Sequence, residues 1–209
     1  MVCIPLGERP RATQKPYVMG TLNKLKYKQA ILYFASKIPL GEQGRVQLYK
    51  LLYFLDFNHY HKHQRTVTGD CYLRLDKGPA PSHISEVISE MDAEGLIRER
   101  DVPTAPGYAP RKVLETLREC DTSVFGRDEL ESLEAVIRDY GSLTGAQLTE
   151  LSHKDPPYLL ADYREQIDPE DTWYRYNPEL DDAPDPITEA LKEVNLAQLV
   201  EDRFGKGDE

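Results

Sequence analysis

The stretch Lys50-Leu51-Leu52-Tyr53-Phe54-Leu55-Asp56-Phe57-Asn58-His59-Tyr60 lies within a run from Gly44 to about His63 that reads as one helix. Val46, Leu48, Leu51, Leu52, Leu55 and Phe57 cover more than one face of it, with Tyr49, Tyr53 and Tyr60 around them. A surface helix confines its apolar residues to a single stripe, so an arc this wide marks a central, mostly buried helix. The other elements are expected to pack around it.

Upstream, Leu25, Ile31, Leu32, Phe34 and Ala35 give an apolar side to a helix from Asn23 to Lys37, which Pro39 and Gly41 end. Residues 1–22 carry prolines and glycines and read as an N-terminal arm. Downstream, Val67 to Leu75 is short and β-like, and Gly78, Pro79 and Pro81 predict a turn. Ser82 is placed to cap a third helix, with Ile84, Val87, Ile88 and Met91 at i, i+3, i+4, i+7 and Gly95 closing it. Leu96–Val102 and Lys112–Leu117 flank a turn rich in proline and glycine and predict a hairpin. A fourth helix spans Arg127–Tyr140, with Leu130, Leu133, Val136 and Ile137 on one side and Gly141 after it. Thr144 and Gln147 have capping-box spacing and Leu143 with Leu148 that of a hydrophobic staple, so a fifth helix starts there and ends by Pro156–Pro157. A short helix near Tyr158–Gln166 and a last one from Pro186, with Ile187, Leu191 and Val194 inward, complete the pattern. The expected fold is mostly α (α+β): a helical domain over 23–160 with a small antiparallel β-hairpin or sheet element. Residues 161–209 form an acidic C-terminal extension whose terminal helix is expected to pack on the same domain.

The chain has 209 residues, 40% hydrophobic and 30% charged, as in a soluble globular protein. Its longest apolar run, Ala30–Ala35, is far below the ~20 residues of a membrane span, so no membrane association is expected. No signal peptide is expected from Met1–Arg11. Cys3, Cys71 and Cys120 are widely spaced and odd in number, which predicts free thiols and a cytoplasmic location. The net charge of −10 is unevenly spread: residues 1–78 carry +8 and residues 79–209 carry −18. Such a split implies either a bipolar surface or attraction between the two parts of the chain; the bipolar surface, facing a protein partner, is the expectation.

Motifs for chemistry are sparse. Asp56, His59 and His63 share a helix face at i, i+3, i+7, a spacing that offers metal ligands, but no HExxH or Cys/His pair accompanies them, and no metal is expected. Cys71 stands beside Asp70, and Ser152 is adjacent to His153, where the two cannot face one another. There is no GxSxG, Walker A loop or GxGxxG. Neither enzymatic activity nor a cofactor is expected. Three helices before a hairpin also follow the order of a winged helix, so a winged-helix-like DNA-binding regulator is the alternative. The third helix counts against it: residues 83–94 contain Glu86, Glu90, Asp92 and Glu94 and no Lys or Arg, leaving Arg98, Arg100, Arg111 and Lys112 of the hairpin as the basic wing. Nucleic acid is therefore the less favoured partner.

One set of residues resembles a known family. Lys50 to Phe57, His59-Tyr60, Thr68-Gly69-Asp70-Cys71-Tyr72 and Gly78-Pro79-Ala80-Pro81 follow KLLYxxDxxHY, TGxxY and GPxP in order and spacing, the signature of the SocA-like Panacea antitoxin domain. Leu151 to Tyr158 is a weaker match, with Ser152 and Tyr158 where the family tends to have Thr and Trp. The resemblance implies a non-catalytic bacterial or phage antitoxin that neutralises a cognate toxin by direct protein–protein contact, the toxin usually being encoded by the adjacent gene. Toxin contacts are then expected at Asp56, His59, Tyr60, Arg65, Asp70, Tyr72, Arg74, Asp76 and Lys77. Lys50, Tyr53, Gly69, Gly78, Pro79, Pro81 and His153 are expected to serve the fold. An acidic face, including Asp181, Asp182 and Asp185, would suit a basic toxin.

Overall fold

In the computed structural model, Gly44–His63 forms helix α2, and every residue from Lys50 to Phe57 is buried. The structure describes residues 21–38, 44–103 and 110–175. The expected N-terminal arm, the hairpin tip, the stop signals Pro39 and Gly41, and the helix after Pro186 lie outside the described residues. The described residues up to Tyr174 form one compact unit.

Helix α1, Lys24–Lys37, starts where the Asn23 side chain accepts a hydrogen bond from the Lys26 N–H. It buries Tyr27, Ala30, Ile31, Leu32 and Phe34. Leu25 and Val46, expected inward, are instead exposed. Each lies near its helix's N-terminal end, to the side of the face that packs.

After α2 the chain turns at Gln64 in a left-handed conformation and enters β1, Tyr72–Leu75. β1 pairs antiparallel with β2, Gly78–Pro81, in the register Tyr72↔Pro81 to Leu75↔Gly78. The expected turn at Gly78–Pro81 is therefore a strand, and the reversal occurs at Asp76–Lys77. Alternation explains how two prolines fit. In an antiparallel ladder only every second residue bonds to the partner. Ser82 N–H donates to Cys71 O, so Pro79 and Pro81 fall at positions from which nothing is donated to β1. The other edge of β1 is also paired: Arg74 N–H donates to Glu165 O, Arg164 N–H to Arg74 O, and Ile167 N–H to Tyr72 O.

Helix α3, Ile84–Ala93, begins one residue later than expected, with His83 rather than Ser82 at its cap, and Gly95 follows it at φ +67°. β3, Ile97–Val102, and β4, Arg111–Thr116, form the expected hairpin. A 3₁₀ turn at Thr122–Val124 leads to α4, Arg127–Tyr140. The expected capping box starts α5, Gly145–His153: Gln147 N–H donates to Thr144 Oγ1 at 3.2 Å, and Thr144 N–H to Gln147 Oε1 at 2.9 Å. α6, Pro156–Leu160, begins with a proline at its first position and is shorter and earlier than the expected helix near Tyr158–Gln166. A 3₁₀ helix, Pro169–Tyr174, closes the unit. The outcome is a mostly α, α+β fold in which α1, α4, α5 and both hairpins surround α2. No helix among the described residues is long and apolar enough to cross a membrane.

The charge split acquires a structural reading here. Lys24 pairs with Glu86 and Glu90, and Lys28 with Glu90 and Glu94, tying α1 to α3. Lys26 pairs with Glu129, Arg45 with Glu99 and Arg65 with Asp128. Five cations of the basic first part thus meet carboxylates of the acidic remainder. Among the described residues part of the split therefore joins the two parts of the chain to one another.

Candidate functional site

Polar side chains of α2 point into the β1–β2 hairpin and hold it. Asp56 is fully buried. It accepts from Val67 N–H and Thr68 N–H at 2.8 Å each, from Tyr72 Oη–H at 2.7 Å, and from the Thr68 hydroxyl. Burial pushes its carboxyl up to about 6, and the four hydrogen bonds pull against that. All four partners donate, which suits an ionised carboxylate. Asp70 forms a second node. It accepts from Tyr27 Oη–H at 2.9 Å and from Cys71 N–H at 2.7 Å, and its Oδ1 lies 2.6 Å from His83 Nδ1. The chain between the nodes bends at Gly69, φ +72°, where a Cβ would lie 2.5 Å from Thr21 O.

Lys50 is 2% exposed and donates to Pro79 O at 2.7 Å. Burial pushes its ammonium down to about 7. Gly78, at φ +86°, leaves room for it, since a Cβ there would lie 2.7 Å from both Lys50 Nζ and Ser152 Oγ. The serine at the family's Thr position is thus part of the packing around β2, and its hydroxyl donates to Thr149 O. Tyr53 Oη–H donates to Asp155 Oδ2 at 2.7 Å, joining α2 to the start of α6. His153 stacks on Tyr158 at 4.8 Å, Arg74 covers the same tyrosine ring at 5.0 Å, and Tyr158 Oη–H donates to Leu75 O at 2.9 Å. The tyrosine in the family's Trp place therefore supplies both an aromatic face and a hydroxyl that ties α6 to β1.

Farther along α2, His59 is buried with Nδ1 2.8 Å from Ser132 Oγ. The Ser132 hydroxyl donates to Asp128 O, so His59 Nδ1 carries the proton and Nε2 is left without a partner. Burial, with the His63 and Arg65 charges, pushes its imidazole down to about 4. Its ring lies 4.5 Å from that of His63. Among the described residues, no three His, Cys, Asp or Glu side chains are grouped to hold a metal ion.

Of the nine positions expected to touch a partner, Asp56, His59, Tyr60, Asp70 and Tyr72 are buried, and four of these hold the hydrogen bonds just described. Arg65, Asp76 and Lys77 are exposed and Arg74 is half-buried, so these four form the accessible remainder. Tyr27, His83 and Asp155 were not singled out in the sequence, although Tyr27 and His83 bind Asp70 and Asp155 binds Tyr53.

A family model described as "Antitoxin SocA-like, Panacea domain" matches residues 48–158, more than half of the chain. The chain belongs to the SocA-like Panacea antitoxin family. No curated protein and no solved structure matches it. The matched Panacea region begins on α2 and ends at Tyr158, so it encloses the Asp56, Asp70 and Lys50 nodes and the His153–Tyr158 stack. Its signature residues, seen in this chain, are mainly the polar framework that fixes β1 and β2 to α2.

Proposed function

We propose that this chain is the antitoxin of a toxin–antitoxin pair and neutralises its cognate toxin by direct protein–protein contact. The observation that carries this reading is the Panacea match over residues 48–158. The buried state of its signature carboxylates and lysine supports a scaffold role for them, with contact made by exposed Arg65, Asp76 and Lys77 beside half-buried Arg74. A domain so organised acts by presenting a preformed surface, and a small backbone change on binding follows from that. The α3 helix gives little support to a DNA-reading role, because its Glu86, Glu90 and Glu94 are held by Lys24 and Lys28. The test is co-expression with the product of the adjacent reading frame. The expected result is that the neighbour alone arrests growth and that the pair grows and co-purifies. A harmless neighbour, or a toxic one that this chain neither binds nor relieves, overturns the reading.

A further inference from the structure

Large apolar side chains exposed among the described residues are not evenly spread. Leu159 is 54% exposed, Leu160 41%, Tyr163 50% and Trp173 53%. The first two belong to α6 and the third to the loop after it, while Trp173 lies on the 3₁₀ helix Pro169–Tyr174, which packs on α6. Single exposed leucines need no explanation, but four large groups on packed neighbouring elements do. Their backbone is firmly held. The Arg74 guanidinium donates to Ala161 O, residues 164–167 hydrogen-bond along β1, and Tyr163 Oη–H donates to Asp76 Oδ2 at 3.1 Å. The patch is therefore preformed.

Two further facts indicate what it fits. Residues 159–174 contain five Asp or Glu and one Arg, and Asp162 and Glu165 are exposed between the apolar groups. A partner must then combine an apolar knob with basic flanks. The patch also lies beyond Tyr158, where the family match ends. We infer that the α6–Trp173 surface is the specificity patch of this antitoxin, taking an apolar segment flanked by Lys or Arg on the cognate toxin. The inference rests on the function proposed above and assigns its site.

The experiment uses the full chain and the purified product of the adjacent reading frame. The double variant Leu159→Ser/Trp173→Ser is expected to weaken binding at least 100-fold with its unfolding midpoint unchanged. Leu25→Ser, on α1, is the control and is expected to bind as the wild type does. Asp162→Asn/Glu165→Gln is expected to slow association several-fold at low salt and to match the wild type at high salt. A wild-type chain that captures nothing removes the functional reading and this site together. Capture by the wild type and equally by Leu159→Ser/Trp173→Ser removes the site alone. If the double variant instead disperses a dimer of the free chain, or loosens residues 185–200 to amide exchange in the free chain, the occupant is a second copy or the chain's own C-terminal segment, and the assignment is overturned.

Discussion

Gly78 and Gly95 both adopt positive φ, at +86° and +67°, yet their surroundings differ. A Cβ at Gly95 meets nothing within 4 Å, whereas one at Gly78 meets Lys50 and Ser152. Gly95→Ala therefore bears only the backbone cost, about 1 kcal/mol. Gly78→Ala adds displacement of a buried lysine and is expected to cost about 3 kcal/mol, read from paired urea titrations. Asp56→Ala strands four donors inside the protein and is expected to cost at least about 3 kcal/mol by the same measurement, while circular dichroism reports whether the helices persist. The Panacea signature made Gly78 and Asp56 visible in the sequence as a pattern. It did not say that the glycine clears space for a lysine 28 positions earlier, because that clearance exists only after β2 has docked on α2.

The helices were the most readable elements. The bounds of α2 and α4 agree with those read from their apolar spacing, and the start of α5 follows from a cap and a staple only a few residues apart. β2 differs from the turn that the sequence predicts, because proline and glycine ordinarily interrupt a strand and only the ladder's alternation makes Pro79 and Pro81 acceptable. The α1–α3 contact is electrostatic at its rim: Lys24 and the less exposed Lys28 face Glu86, Glu90 and Glu94. Exposed pairs are screened by salt. Glu90→Gln, which weakens two pairs at once, is expected to lower the melting temperature at low ionic strength, and molar sodium chloride is expected to remove most of the difference between variant and wild type. A difference that persists in high salt would assign the role of Glu90 to packing instead.

At the scale of the whole molecule, the pH response joins two buried groups of opposite sign. His59 has its imidazole pushed down to about 4 when folded, from an ordinary value of 6.5. A depressed value contributes stability that is present above about pH 6.5 and is lost as pH falls through about 4. Asp56, pushed up to about 6, runs the other way: its contribution is present below about pH 4 and is lost as pH rises through about 6. The two partly cancel in the wild type. His59→Asn keeps a donor for Ser132 and removes the titration, so its destabilisation relative to wild type is expected to be largest at pH 7 and to shrink toward pH 4. Urea titrations at four pH values check this, and a constant difference would show that His59 does not titrate in that window. The sequence by itself determined the helical character, the hairpin, the capping box and the family signature, because periodicity and caps act between residues a few positions apart. Tertiary structure alone decided the rest. Tyr27 meets Asp70 across 43 positions, Tyr53 meets Asp155 across 102, and five cations of the basic first part meet carboxylates of the acidic remainder. Hydrogen bonds and ion pairs depend on distance in space, and α2, buried on nearly every side, is what brings those distant segments within reach.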